Sequence, residues 1–126
     1  MAGYVTNIED KTLENEYFRE VLFTSKNMQL VVMALKPNEE IGEEVHHLDQ
    51  FIRIEKGMGK AVLDGQEHPL KDGSIVVISA GTSHNIINTS SSESLKLYTI
   101  YAPPNHKDGT VHKTRAEAMA AEEHHE

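Results

Sequence analysis

Apolar and polar residues alternate through most of this chain in short runs, and turn residues end each run. Successive side chains of a β-strand point to opposite faces, so a period of two predicts strands with one buried face. The runs are rich in Val, Ile, Leu and Tyr, which favour strands. The predicted strands are 18–24, 28–35, 50–55, 60–64, 74–79, 84–88 and 95–101.

The residues between the runs predict how these strands are connected. Asp64-Gly65 indicates a tight hairpin, because glycine supplies the positive φ that such turns need. Similar turn signals recur at regular intervals, and almost no helical pattern separates the strands. Short, evenly spaced strands of this kind predict an all-β fold, an antiparallel sandwich or barrel.

The pattern changes after residue 101. Ala102-Pro103-Pro104 cannot continue a central strand, because proline has no N–H for the sheet. Thr114 and Glu117 have the spacing of a capping box, which predicts a short helix to about residue 123. We therefore expect one domain over 1–126, with a barrel core at about 17–102 and an irregular segment and short helix over 103–126. The final His-His-Glu is expected to be a frayed tail.

Composition limits the class of protein and its partners. Twenty acidic and twelve basic residues give a formal net charge of −8. An acidic surface repels phosphate backbones and anionic lipids, so nucleic acid and membranes are poor partners. There is no cysteine, which excludes disulfides, thiolate metal sites and cysteine nucleophiles. The N-terminus lacks the basic flank and apolar core of a signal peptide, so we expect a soluble, cytoplasmic protein.

The stretch EEVHHLDQ, residues 43–50, contains the first half of a candidate site. Ile52 and Ile54 are expected to face the core, and the same alternation places Glu44, His46 and Gln50 on the inner side. Glu43, His47 and Asp49 then face solvent. Inward-facing polar groups cost several kcal/mol each when unpaired. A shared cation is the simplest way to satisfy the three of them.

The second half of the site comes from residues 73–88, GSIVVISAGTSHNIIN. A buried strand ends there in a glycine turn, and His84 begins the next apolar strand. A histidine in this position can point back into a barrel, towards the first half of the site.

These two segments resemble the two motifs of the cupin superfamily, G(X)5HXH(X)3,4E(X)6G and G(X)5PXG(X)2H(X)3N. The second motif matches from Gly73 through Gly81 and His84 to Asn88, with Ser79 in place of proline. The first matches in spacing over 38–57. It differs in three letters: Asn38 replaces the first glycine, Glu44 the first histidine and Gln50 the glutamate. The resemblance implies an antiparallel double-stranded β-helix, the jelly-roll or cupin barrel, and a homodimer.

The resemblance also implies one divalent metal ion held by Glu44, His46, Gln50 and His84. All four side chains can donate a lone pair to Zn, Mn, Fe, Ni or Co, and the identity of the ion stays open. Phosphomannose isomerases, which are cupins, combine the same residue types around zinc in a different order. The alternative is a pair of core histidines that hydrogen bond to Glu44 and Gln50 without a metal, and Gln50 could instead orient a ligand.

Three functions follow from the resemblance. The first is a sugar or sugar-phosphate isomerase-like enzyme that binds a small polar molecule and uses the metal as a Lewis acid. The second is an Fe(II)-dependent dioxygenase, and the third is a non-catalytic ligand-binding or sensor protein. No catalytic base is evident from the sequence, with Glu44 and His112 as candidates. His47 and His68 are expected at the surface, and the stretch with His106 and His112 could form a lid.

Overall fold

The computed structural model describes residues 2–123, and the expected frayed tail of His124, His125 and Glu126 lies outside this range. Within that range the chain forms ten strands and two helices. Their bounds are α1 Ile8–Glu14, β1 Arg19–Thr24, β2 Gln29–Leu35, β3 Glu44–Val45, β4 Asp49–Lys56, β5 Gly59–Leu63, β6 Gln66–Leu70, β7 Ile75–Ile78, β8 Ser83–Asn88, β9 Leu95–Ala102, β10 Val111–His112 and α2 Arg115–Glu123.

The strands form two antiparallel sheets. One has the order β10-β1-β2-β9-β4-β7 and the other has the order β3-β8-β5-β6. The non-consecutive neighbours mean that the chain crosses between the sheets, as in a jelly roll. The predicted all-β fold, with a short C-terminal helix, is confirmed.

The core lies between the sheets and follows the period of two. In β4 the side chains of Ile52 and Ile54 are fully buried, while those of Arg53 and Glu55 are half-buried on the outer face. Leu95 and Leu97 of the neighbouring β9 are also fully buried. Alternation therefore decides which face of each central strand packs inward.

The turns have the backbone conformations that their residues favour. Asp64 and Gly65 both have positive φ, 48° and 84°, and connect β5 to β6 as a tight hairpin. Asn38, which stands where the first motif has glycine, has a φ of 65°. Asparagine tolerates this left-handed conformation better than most residues, so the substitution leaves the turn intact.

A helix lies on each side of the strand region; the sequence pattern does not predict the first helix, and its prediction of the second is confirmed. Before β1 the chain forms α1, whose N-cap Asn7 accepts a hydrogen bond from the Asp10 amide (2.9 Å). At the other end, Thr114 caps α2 through the Glu117 amide (3.1 Å), while Glu117 accepts from the Lys113 amide (2.9 Å). Neither helix in the described range is long and apolar enough to cross a membrane.

Candidate metal centre

Strand pairing brings two of the predicted site residues together. Glu44 in β3 is the direct antiparallel partner of His84 in β8. Partners in such a pair project from the same face of the sheet, so the two side chains are neighbours. The Gly81 amide donates to the carbonyl oxygen of His46 (2.8 Å), which fixes the end of β3 against the turn that precedes β8.

Glu44, His46 and His84 converge on one point. One possible ligand atom from each of the three lies within 4.8 Å of the others. Nε2 of His46 is 3.4 Å from Oε2 of Glu44, and the two imidazole rings meet edge to face with centroids 5.0 Å apart. His84 is buried and the other two are half-buried. The structure therefore forms a group of two imidazoles and a carboxylate, from segments about forty residues apart.

The ring of His84 is held in a defined orientation. Its Nδ1 lies 2.9 Å from the carbonyl oxygen of Thr82. A carbonyl can only accept, so Nδ1 carries the proton, and when the ring is neutral its Nε2 has a free lone pair. Nε2 is buried and has no hydrogen-bond partner within residues 2–123. This is the state in which an imidazole binds a metal ion.

Gln50 is buried in β4, where it pairs with Tyr101 of β9. Its side-chain amide nitrogen donates to the hydroxyl oxygen of Thr99 (3.0 Å). Its carbonyl oxygen, Oε1, is buried without a partner in the described part of the chain. The amide is thus oriented with one of its two N–H groups bonded and its acceptor oxygen without a protein partner.

The electrostatics of the group favour an ionised Glu44. Burial raises the pKa of this carboxyl, but the hydrogen bond to His46 and the charges of His46, Arg19 and His84 outweigh it. The pKa therefore lies below its ordinary value. An ionised carboxylate is the form that can serve as a metal ligand.

A cavity of about 320 Å³ adjoins the group. Glu44 and His46 line it from the barrel, and residues 105–107, 110, 112, 121 and 122 line it from the C-terminal part of the chain. The irregular stretch after β9 thus lies over the cavity, as the lid interpretation suggested. Its far end forms β10, which pairs with β1 and extends the larger sheet.

Gln29 anchors this stretch. The residue is fully buried, and its Oε1 accepts from the amides of Asn105 (3.1 Å) and His106 (2.9 Å). Its amide nitrogen donates to the His106 carbonyl (2.7 Å) and the Thr24 hydroxyl (2.9 Å). One buried side chain therefore satisfies three backbone groups above the cavity.

Arg19 is a cavity residue that the sequence pattern does not reveal. It lines the cavity with its side chain 3% exposed, and its Nη1 is 3.1 Å from Nδ1 of His112. A charged residue next to Phe18 in an alternating strand is expected to face water. The segment that covers Arg19 is more than 85 residues away in sequence, so no local signal indicates its burial.

Burial also shifts the pKa values of two aromatic side chains beside the group, those of Tyr101 and His106. The Tyr101 ring lies edge-on to both His46 and His106. Burial, together with the Glu44 charge, raises the pKa of Tyr101 to about 12. Burial and the Arg19 cation lower the pKa of His106 to about 3. Near neutral pH the phenol is therefore a hydrogen-bond donor and the imidazole is uncharged.

The remaining polar residues of the motif face outward. Glu43, His47 and Asp49 are exposed, as the alternation predicted, and Asp49 accepts from the Ala80 amide (3.0 Å). His68 is exposed on β6. These residues therefore contribute to turns and surface rather than to the cavity.

Comparison with known proteins identifies similar chains. The Cupin domain family (Cupin_2) matches residues 31–101. The uncharacterized protein YrkC of Bacillus subtilis is 46% identical over 127 residues, which cover 95% of this chain and 68% of YrkC. The uncharacterized protein L612 of Acanthamoeba polyphaga mimivirus is 46% identical over 119 residues, which cover 91% of this chain and 74% of L612.

A solved structure shows the same architecture. The crystal structure of BH2720 from Bacillus halodurans is 44% identical in sequence, with a TM-score of 0.90, and the match covers 93% of each chain. The likeness therefore extends beyond the motif region to almost the full length of both proteins.

Proposed function

This chain belongs to the cupin family, and from that premise we propose that it binds one divalent metal ion through Glu44, His46, Gln50 and His84. The adjoining cavity then receives a small polar molecule. The observation that carries the proposal is the buried, unpartnered Nε2 of His84, directed by the bond from Nδ1 to Thr82.

The donor atoms fit a divalent cation. Two imidazoles, a carboxylate and an amide oxygen suit borderline ions such as zinc, iron or nickel. Buried polar atoms are normally hydrogen bonded, yet His84 Nε2 and Gln50 Oε1 have no partner in the described range. An ion held by both atoms removes this cost. The contact between Nε2 of His46 and Oε2 of Glu44, at 3.4 Å, is long and leaves room for competition by a cation.

For catalysis, an aldose–ketose isomerase-like reaction on a sugar or sugar phosphate is the leading proposal. A bound divalent ion would supply Lewis-acid polarisation of a substrate carbonyl. The buried Tyr101 hydroxyl stays protonated near neutral pH and is a hydrogen-bond donor beside the site. The Lewis-acid role and the residue composition both resemble those of phosphomannose isomerases.

The acid–base residue is the open requirement of this reaction. A base must reach the proton that it removes and have an available lone pair. Nδ1 of His112 accepts from Arg19 (3.1 Å), so this lone pair is already used. The lowered pKa of His106, about 3, makes that imidazole a weak base. Glu44, once released from the ion, is then the carboxylate in the cavity best placed for the role.

Two further candidates have support in the same geometry. Glu44, His46 and His84 form a two-histidine, one-carboxylate group, the set found in Fe(II) dioxygenases. The weak basicity of His106 and the occupied Nδ1 of His112 favour a ligand-binding or sensor protein without turnover. The identity of the metal that the protein retains distinguishes the dioxygenase from the isomerase: iron supports the dioxygenase, and zinc supports the isomerase.

Elemental analysis tests the metal proposal. Protein purified without a histidine tag or chelator should contain one divalent ion per chain. His46→Ala and His84→Ala should lose the ion and melt at lower temperature, because an ion that binds only the folded state stabilises it. The exposed His47→Ala is the matched control and should keep the ion. An unchanged metal content in both site variants would exclude this centre.

A ligand panel tests for catalysis. Thermal shift against sugars, sugar phosphates and dicarbonyls identifies stabilising ligands, and product analysis after long incubation shows whether they are converted. Interconversion of an aldose and its ketose supports the isomerase. Oxygen consumption with iron-loaded protein supports the dioxygenase, and unchanged ligands support the sensor.

A further inference from the structure

The guanidinium of Arg19 is buried next to the candidate metal centre without a counter-ion. Its side chain is 3% exposed and lines the cavity together with Glu44 and His46. Among the side chains of residues 2–122, no carboxylate oxygen lies within 4.0 Å of its nitrogens. Transfer of a guanidinium out of water without an anionic partner is strongly unfavourable. An interaction that offsets this cost is therefore expected at Arg19.

The hydrogen bonds of Arg19 are also incomplete. A guanidinium has five N–H donors. The described residues supply it with one side-chain acceptor, Nδ1 of His112 at 3.1 Å from Nη1, and its Nε is buried without a partner. The Phe18 ring, 5.3 Å from Cζ, attracts the cation but accepts no in-plane hydrogen bond. Most of the N–H donors of the guanidinium therefore have no acceptor among the described residues.

The surroundings of Arg19 do not neutralise it. His112 must accept from a group that can only donate, so its ring is neutral with the proton on Nε2. Lys107 and Glu122 also line the cavity, both with exposed side chains. Glu44 is the inner carboxylate, but its oxygens lie more than 4.0 Å from the guanidinium nitrogens, so the two side chains form no ion pair. An anionic group from a ligand is then the natural partner of Arg19.

We propose that Arg19 is the anion-binding subsite of this cavity. The ligand is a small molecule with an anionic oxygen group, a carboxylate or a phosphoryl group, at one end. A neutral polar group at its other end reaches Glu44, His46 and His84. Arginine pairs with both kinds of anion through two parallel N–H bonds. A cavity of about 320 Å³ restricts the ligand to a small metabolite.

This inference rests on the proposed function only for the contact with the metal centre, because the pairing with Arg19 needs no ion. Its test uses two matched pairs of probes with the protein as purified. The first pair is 3-hydroxypropionate and its uncharged amide, and the second is glycerol 3-phosphate and glycerol. Titration calorimetry should show one of the anions binding at least about tenfold more tightly than its neutral counterpart.

Variants then assign the effect to Arg19. Arg19→Gln should remove the preference for the anion, and Arg19→Lys should keep part of it, because a lysine retains the charge but not the paired donors. Arg53→Gln is the matched control. Its Nε also lacks a partner among the described residues, but the side chain is 41% exposed on the outer face of β4. This variant should bind the anion as the wild type does.

A second measurement does not depend on the folding of a variant. The chain has three arginines, Arg19, Arg53 and Arg115, and their Nε–H resonances can be followed by NMR in the wild-type protein. The anion should shift the Arg19 resonance and leave those of Arg53 and Arg115 unchanged. An unmoved Arg19 resonance at saturating anion would overturn the proposal.

The outcomes distinguish the source of the anion and the two proposals. A preference confined to the first pair identifies a carboxylate ligand, and one confined to the second identifies a phosphorylated ligand. Equal binding of each anion and its neutral counterpart, or a preference that survives Arg19→Gln, overturns the subsite. Metal content is measured in the same samples. Arg19-dependent binding by protein that holds no metal would support the subsite while contradicting the proposed metal centre.

Discussion

The side-chain amide of Gln50 makes one hydrogen bond, to Thr99, and its Oε1 has no partner in residues 2–123. Gln50→Glu adds a negative charge at this position and should retain or tighten the ion, because a carboxylate is a stronger donor than an amide. Competition with a calibrated chelator gives the change in metal affinity. Weaker binding in Gln50→Glu would show that Gln50 is not close to the ion.

His106 gives the molecule a dependence on pH. Burial and the Arg19 cation lower its pKa to about 3 in the folded protein, against an ordinary value of 6.5. The unfolded chain therefore takes up a proton below pH 6.5 that the folded chain does not. The free energy of unfolding should fall as pH drops from 6.5 towards 3, with a slope of up to about 1.4 kcal/mol per pH unit from this residue.

Urea denaturation at several pH values, in the presence of a chelator, measures this slope. His106→Asn should have a shallower slope than the wild type. His68→Asn removes an exposed imidazole from β6 and should leave the slope unchanged. Identical slopes for His106→Asn and the wild type would contradict the assignment.

Local patterns identified some site residues and could not identify others. The sequence predicts that Glu44, His46 and Gln50 face inward, because they continue the alternation that buries Ile52. This prediction needs only neighbouring residues, since every second residue of a strand lies on the same face. The burial of Arg19 depends on a distant part of the sequence: His112 of β10 is its cross-strand partner, and Asn105 and His106 line the same cavity. Hydropathy at position 19 contains no information about that covering segment.

Among the elements, β8 joins the site to the structural frame. His84 begins the strand at the cavity, and Asn88 ends it with its side chain fully buried. The Asn88 amide nitrogen donates to the carbonyls of Leu35, Lys36 and Glu93 at 2.9–3.1 Å. Asn88, the last residue of the second motif, therefore has a structural role. It lies at the end of β8, whereas His84 lies at the start of the same strand.

Asn88→Ala should lower the free energy of unfolding by about 2 to 3 kcal/mol, because it leaves one buried and two partly buried carbonyl groups without this donor. The metal content of the folded fraction should stay the same. Denaturation curves and elemental analysis of one preparation test both statements, with the exposed Asn27→Ala as control. Loss of the ion from folded Asn88→Ala would show that the two ends of β8 are coupled.

The elements that the sequence predicted are those with a strong local signal. The strands with clear alternation, the Asp64-Gly65 hairpin and the Thr114 cap all form, and the ends of the predicted strands shift by at most one residue. The strands β3 and β10 have two residues each, which is too few for an alternating pattern to be recognised in the sequence. They form because distant strands supply their partners, and β3 is the strand that sets Glu44 against His84.

At the scale of the whole molecule, the outer face of β7 favours association. β7 is an edge strand of the larger sheet, and its Ile75 and Val77 are 55% and 64% exposed. Exposed apolar side chains on an edge strand promote contacts between chains. The homodimer is therefore proposed to use this face.

Light scattering after gel filtration should give about twice the chain mass of 14.1 kDa. Val77→Asp should shift the mass towards the monomer, because it places a charge in the contact. A dimer that persists unchanged in Val77→Asp would place the interface elsewhere. A mass of 14.1 kDa for the wild type at micromolar concentration would contradict the dimer itself.

The anchoring of the cavity roof by Gln29 has a consequence for exchange with solvent. The backbone above the cavity is held at residues 105 and 106 by the side-chain amide of Gln29 in β2, which makes no hydrogen bond to the three clustered candidate ligands in the described part of the chain. If a small molecule exchanges through this roof, we expect its exchange rate to depend on Gln29 and its affinity to depend on the candidate ligands. Exchange rate and selectivity would then vary independently among relatives of this protein.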